Sequence, residues 1–432
     1  MMHFLYNILA VCLAVAAIPL FTWRLMQEKG FGERLRQSFG FIPAEIMAPV
    51  AEKNCIWIHA ASVGEIVAAS PIVKEIRKTL PGNPILISVV TANGYEMARR
   101  IISDADSIIY FPLDLPWLSD WTVRRIRPRV FLPVETELWP NFLRSVRRQG
   151  IPVMMVNGRI SEKSVARYRY LRGILANMLE TIIKFCMQST IDAQYIIQMG
   201  ADPKRVIVTG NTKFDQTYTD TSPEKIVSLR RQLGLTSAEP IIVAGSTHKG
   251  EEELLLAAFT KVKAVYSQAA LIIAPREILR AEELLAMAAE AGFEAKTRTA
   301  LTAEPAEGHE LVILNTIGEL GQIYSLGDII FVGGSLVSLG GHNILEPAAH
   351  GKPIVVGPHM FNFKESYALF SGRNACATVF DEASLAEKWL EILANETLRR
   401  TMSEEALTII RENRGAAHKS AVCLKELLEN RQ

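Results

Sequence analysis

DIIFVGGSLVSLGGHNILEPAAHGKPIVVGP, residues Asp328 to Pro358, sets two apolar runs, IIFV and PIVV, around a glycine-rich segment carrying one carboxylate, Glu346. Neither run alternates with polar residues, so each reads as a strand buried on both faces. Gly333 and Gly334 close the first run, Gly340 and Gly341 follow, and a helix is predicted from about Asn343. Glu346 then falls in its first turn, with Pro347 close behind, where a missing N–H costs nothing. Strand, flexible loop, helix and strand form one βαβ unit of a parallel sheet. A loop of this kind at a helix start can bind phosphate through backbone N–H groups, and Glu346 can accept hydrogen bonds from sugar hydroxyls.

The same alternation extends outward in both directions. Strands are predicted at CIWIHAA, PILISVVT, SIIYFPLD, RVFLPVET, IPVMMVNGR, FCMQS and RVIVTGN in the first half, with helices such as Glu65–Leu80 and Ser161–Glu180 between them. The second half repeats the plan with PIIVAGST, ALIIAPRE, LVILNT, DIIFVGG, PIVVGP and ATVF. Two doubly wound, Rossmann-like α/β domains facing a cleft are the expectation, with sites at the carboxyl ends of strands. The polar stretch Asp215–Glu239 has no strand pattern and holds the boundary. The domains are accordingly placed at residues 36–220 and 221–432, the second including a final helix over about Glu404–Glu429, behind a segment 1–35.

That first segment is read as a membrane anchor. Phe4 to Trp23 carries no charge, and about 20 apolar residues is the length that spans a bilayer as one helix. No Lys or Arg precedes the run, whereas Arg24, Lys29, Arg34 and Arg36 follow it, which keeps the downstream chain on the cytoplasmic side of the membrane. A signal peptide would place its positive charges ahead of the run instead. The 432-residue chain is otherwise globular in composition, 49% hydrophobic and 22% charged, with a formal net charge of +1. Charge is unevenly spread: Trp121–Arg172 holds twelve Lys or Arg against three acids, a candidate surface for anionic lipid or a phosphorylated substrate. The cysteines, Cys12, Cys55, Cys186, Cys376 and Cys423, are scattered without metal or disulfide spacing.

Several other loops end strands with reactive residues. AGSTHKGEEE (244–253) puts Ser246, Thr247 and His248 before a helix whose first turn carries Glu251. APRE (274–277) sets Pro275 and Arg276 directly after a strand, where a guanidinium can hold a phosphate. NTIGELGQIYS (315–325) puts Gly318, Glu319 and Leu320 at a helix start. Each alone is ordinary capping; together they describe a nucleotide pocket. In the first half, HAASVGE (59–65) places Glu65 at the end of the first strand, as a helix-capping carboxylate or as a general base. PVETELWP (133–140) brings Glu135 and Glu137 two residues apart at a strand end, facing one side. GNTKFD (210–215) offers Lys213 to neutralise a leaving phosphate. Asp104 and Asp106 precede a strand instead of ending one and are not taken as a metal site.

HAASVGE, PVETELWP, GNTKFD, APRE, GEL and GGHNILEPAAHGKPIVVGPHMFNF, in this order behind an apolar amino terminus, resemble the bacterial Kdo transferases of lipopolysaccharide synthesis over nearly the whole chain. The resemblance implies the two-domain GT-B fold and inverting transfer of 3-deoxy-D-manno-octulosonic acid from CMP-Kdo to the lipid A precursor (lipid IVA) at the cytoplasmic face of the bacterial inner membrane. It implies Glu65 as general base, and Glu135 and Lys213 as transition-state stabilisers. It also implies CMP contacts at Pro275, Arg276, Gly318, Glu319, Leu320, Asn343, Ile344, Leu345 and Glu346. No cofactor, metal or nucleic-acid partner is expected; inner-membrane lipids are. The rivals are a GT-B enzyme using a UDP-sugar and a membrane-tethered binding protein that has lost activity. A dinucleotide oxidoreductase is disfavoured, since no G-x-G-x-x-G follows the first strand.

Overall fold

The computed structural model describes residues 2–27, 30–161, 164–165, 172–216, 221–303 and 307–430. The chain forms two compact units, one of residues up to Gln216 together with Asn413 onward, the other of the residues between.

The first unit is built on a seven-stranded parallel sheet: β1 (Ile56–His59), β2 (Ile85–Val89), β3 (Ser107–Tyr110), β4 (Val130–Pro133), β5 (Val153–Gly158), β6 (Ile182–Met187) and β7 (Val206–Val208), in the order β3-β2-β1-β4-β5-β6-β7. The apolar run of β1 is buried throughout because helices cover both sheet faces. The second unit repeats the plan with β8 (Ile241–Thr247), β9 (Ala270–Pro275), β10 (Ala295–Thr297), β11 (Leu311–Ile313), β12 (Ile329–Val332), β13 (Ile354–Val356) and β14 (Cys376–Thr378). Its order is β10-β11-β9-β8-β12-β13-β14. Every predicted strand is present. The one missed, β10, is a short edge strand of sequence AKT, too short and polar to signal itself. Thirty-one residues of the opening quotation give β12, a loop, the five-residue helix Leu345–Ala349 and β13, with Ile330 paired to Ile354.

Two expectations are corrected. The final helical stretch is not one helix of the second domain. It breaks into Glu396–Asn413 and Ala416–Glu429 at Gly415, which stands at φ 99°. The closing helix Ala416–Glu429 packs on the first sheet: Ala417, Ala421, Leu424 and Leu428 join the core formed by Ile58, Ile72 and Val156. Asp215 fixes the return, accepting hydrogen bonds from the backbone N–H groups of Gly415 and Ala417. The second correction concerns the amino terminus. Met2–Ala16 and Ile18–Gln27 are separate helices, and among the described residues no single helix is long and apolar enough to cross a membrane. Tyr6–Ala16 and Ile18–Arg24 reach that length and composition only as a pair bent by 41°. Pro19 follows the break, where its ring cannot continue a preceding helical ladder. Of the predicted helix Ser161–Glu180, Arg172–Thr181 is observed, while 162–163 and 166–171 lie outside the described residues.

Candidate active site

In the first unit the reactive side chains gather where β1 and β4 end and where the chain leaves β7. Ser62 caps the helix Val63–Thr79, and its hydroxyl accepts a hydrogen bond from Glu65 N–H. The Glu65 carboxylate reaches back, accepting from Ala61 N–H at 2.6 Å and Ser62 Oγ at 3.0 Å. Ser62 and Glu65 thus cap the helix start together, so the capping role read from sequence is real. It does not exhaust the residue. Burial pushes the Glu65 pKa up to about 7, Glu137 and Glu135 add repulsion, and the Ala61 and Ser62 hydrogen bonds oppose. A carboxyl group poised near neutral pH is suited to accept a proton from a hydroxyl.

Glu135 and Glu137 do not share a strand face. The chain leaves β4 at Pro133, and Glu135 stands in the left-handed region at φ 58°. For a non-glycine residue that costs about 1 kcal/mol or more. A hydrogen bond from Glu135 N–H to Val156 O at 3.1 Å holds it. The two side chains take different partners. Glu135 Oε1 lies 3.6 Å from Lys213 Nζ and accepts no hydrogen bond among the described residues. Glu137 Oε2 accepts from Trp139 Nε1 at 2.7 Å and lies 3.3 Å from His59 Nε2. His59 is fully buried at the end of β1, with Nδ1 3.0 Å from Ser88 Oγ. It escaped the sequence reading, although a polar residue ending an apolar strand was the available signal. Lys213 sits in the short turn Thr212–Asp215, fixed on both sides. Thr212 Oγ1 donates to Ala68 O at 2.7 Å, and Asp215 holds the closing helix.

In the second unit Pro275 ends β9, and Arg276 N–H donates to Thr247 O at 2.9 Å. Asn343 Oδ1 accepts from Leu345 N–H at 3.1 Å and its side chain hydrogen-bonds Glu346, whose pKa burial raises. Ile344 and Leu345 are buried beneath them. Tyr324, fully buried, is pushed up by burial and by Glu346 and hydrogen-bonds Ser246. Sequence reasoning missed it because only the fold brings residue 324 to residue 346. Glu319 lies one residue past Gly318 and precedes the helix Leu320–Ile323. It turns to Arg298, accepting from Nε at 2.8 Å, and Arg298 also donates to Gln232 and Thr302.

Part of the glycine-rich loop after β12 is already occupied. The N–H groups of Gly334, Ser335 and Leu336 all donate to the Glu251 carboxylate at 2.7, 3.0 and 2.9 Å. His248 N–H donates to it as well, at 3.0 Å. A fully buried carboxylate with four backbone donors is a permanent internal occupant of that nest.

Local pairs partly neutralise the basic stretch: Arg124 with Asp120, Arg127 with Glu52 and Arg147 with Glu180. Arg144, Arg147 and Arg148 nevertheless line a groove of about 540 Å³ with Asn177 and Thr181. Lys163, Arg167, Arg169 and Glu162 of that stretch lie outside the described residues. Asp106, of the acidic pair Asp104 and Asp106, accepts from Arg77 and from Ile85 N–H, a structural use.

The family described as 3-deoxy-D-manno-octulosonic-acid transferase (kdotransferase) matches residues 33–216. The chain is 32% identical over 400 residues to the 3-deoxy-D-manno-octulosonic acid transferase of Haemophilus influenzae, covering 92% of each. It is 29% identical to the corresponding enzyme of Bordetella pertussis over 95% of this chain and 96% of that one. Among solved structures, the UDP-GlcNAc 2-epimerase from Neisseria meningitidis bound to UDP-GlcNAc aligns with a TM-score of 0.59 at 14% identity, over 87% of this chain and 99% of its own. A glycosyltransferase from Rickettsia africae aligns with a TM-score of 0.56 at 14% identity, over 88% and 98%. At that identity the two structures share the fold and say nothing of substrate.

Proposed function

The chain belongs to the 3-deoxy-D-manno-octulosonic acid transferases, and from that premise we propose how its residues carry out the transfer. It is a glycosyltransferase that moves Kdo in lipopolysaccharide synthesis. In our reading the donor is CMP-Kdo and the acceptor a hydroxyl of the lipid A precursor. Glu65 takes the proton of that hydroxyl as its oxygen attacks the anomeric carbon. The bond to the nucleotide stretches into an oxocarbenium-like state, the nucleotide leaves with the electron pair, and direct displacement inverts the anomeric centre. Lys213, held against Glu135, stabilises the negative charge that develops. Pro275, Arg276, the Gly318–Leu320 segment and Asn343–Glu346 bind the CMP moiety, with Glu346 accepting hydrogen bonds from ribose.

The observation that carries this reading is Glu65 itself: a half-buried carboxylate raised to about 7 beside two further carboxylates, in a chain of this family. A UDP-sugar donor has only fold-level likeness in its favour. The test is purified protein with CMP-Kdo and a tetraacylated lipid A precursor in EDTA, following CMP release and acceptor mass. A gain of one or more Kdo units supports the reading and counts the additions. No gain, with donor and detergent shown sound, overturns it.

The amino terminus and basic surface fit a membrane-bound acceptor. The bent pair Tyr6–Ala16 and Ile18–Arg24 would enter the bilayer as a broken span, with the body on the cytoplasmic side of the inner membrane. Exposed Phe41, Trp117 and Trp121 neighbour Arg36, Arg124 and Arg125 in sequence or space, the pairing of aromatic belt and cation that suits anionic headgroups.

A further inference from the structure

A lysine stabilises developing charge well only when it is held in place beforehand, and the end of β5 bears on how Lys213 is held. Pairing with β6 runs Met155 to Phe185 and then Gly158 to Met187, so β5 takes one residue more than its partner over this stretch. The extra residue makes a β-bulge, a feature that re-aims a side chain. Asn157 lies in it, fully buried, with φ at 51°. Left-handed backbone is strained for a residue with a Cβ, although asparagine tolerates it better than most. The strand end around it is tightly held. Gln188 Nε2 donates to Asn157 O at 3.1 Å and Gln188 N–H to Gly158 O at 2.9 Å. A Cβ on Gly158 would lie 2.6 Å from Met187 Sδ.

Two anchors meet on this bulge. Asn157 Oδ1 accepts Thr212 N–H at 3.0 Å, one residue before Lys213. The neighbouring Val156 O accepts Glu135 N–H at 3.1 Å. One dipeptide thus fixes the backbone beneath both members of the Glu135–Lys213 pair, whose charged atoms stand 3.6 Å apart. Asn211 Oδ1 takes the Lys213 N–H at 3.0 Å, so the turn is pinned at successive residues. Among the described residues, Asn157 Nδ2 is buried without a hydrogen-bond partner. A residue kept for stability alone would not combine backbone strain with an idle amide hydrogen, since glycine removes both. Strain of this kind gathers where a fold presets a working group.

We propose that Asn157 is a positioning residue for the transfer: its Oδ1 presets the turn that carries Lys213 against the loop that carries Glu135. The inference rests on the role given to Lys213 above. Asn157 acts through that pair and needs no contact with donor or acceptor. Without its oxygen the Thr212 N–H is stranded, the turn loosens, and the ammonium group is spread over several positions. Stabilisation that depends on a fixed distance is then lost in the transition state and not in donor binding.

The test combines transfer kinetics with calorimetric CMP titration of the full-length chain, in a cycle of Asn157→Gly, Lys213→Ala and the double variant. Glycine suits the left-handed backbone, so Asn157→Gly removes the side chain and leaves the bulge. It lowers kcat about ten- to hundred-fold while CMP affinity stays within about two-fold. In the Lys213→Ala background the same change costs less than about two-fold, because the group it positions is gone. Full kcat in Asn157→Gly, losses that multiply in the double variant, or an equal loss of kcat and CMP affinity overturns the inference and leaves Lys213 its part in the reaction. Full kcat in Lys213→Ala overturns that part and the inference with it. Should Asn157→Gly fail to fold, Asn157→Ala removes the same oxygen and carries the same expected cycle.

Discussion

Glu65 and Glu251 occupy the same topological place in two similar units, each near the start of the helix that follows the first strand of its sheet. Their surroundings part them. Glu251 is fully buried and takes four backbone N–H groups from two loops, which removes its carboxylate from chemistry and makes it a brace. Glu65 takes one backbone N–H and one hydroxyl, and its partial burial, with two other carboxylates nearby, raises its proton affinity. Position in the fold therefore offers a carboxylate at a strand end. The count of donors around it decides whether it is spent as a brace or left open to a proton.

The comparison is most exposed to failure at Glu65. Glu65→Gln keeps the capping acceptor but cannot take a proton, so turnover should fall about 10²- to 10⁴-fold while CMP binding persists. Stability should change by no more than about 1 kcal/mol, the scale of a cap. Normal turnover in that variant would remove the base from the mechanism. Glu251→Ala should do the reverse. It strands four backbone donors and should cost about 3 kcal/mol or more in chemical denaturation, with donor affinity lost through disordered loops rather than a missing contact. A stable Glu251→Ala protein that binds CMP normally would refute the bracing role.

Asp215→Asn tests the clamp beside Lys213. It weakens two hydrogen bonds to the start of the closing helix and should cost about 1–2 kcal/mol, with faster amide exchange at Ala416–Glu429. The smallest effect is expected from Glu137→Gln. If Glu65 must be ionised to act, kcat/KM rises with pH through its pKa near 7. Removing the Glu137 charge lowers that pKa, so the acid limb moves to lower pH. A limb that stays in place would show that another group governs it.

Much of this was legible in the residues. Continuous apolar strands such as IIFV and PIVV disclosed parallel sheets, and the HAASVGE, ETELWP and GHNILEP blocks by themselves pointed to the family. The losses have physical causes. AKT is an edge strand that buries little, so it leaves no apolar run. An amphipathic final helix records that it has a buried face, not which sheet receives it, and Ala417, Leu424 and Leu428 found the first. Glycines after β12 announced backbone freedom, and the ligand for those N–H groups turned out to be the protein's own Glu251.

By itself the sequence determined the elements, their class and the chemical inventory, since periodicity, breakers and residue types act locally along the chain. Only the tertiary structure decided which carboxylate is satisfied, that Glu135 meets Lys213 while Glu137 meets His59, and that His248 and His342 touch across 94 residues. Those outcomes depend on burial and on distances between segments remote in sequence. A residue's proton affinity and hydrogen-bond partners are set by the neighbours that folding brings to it.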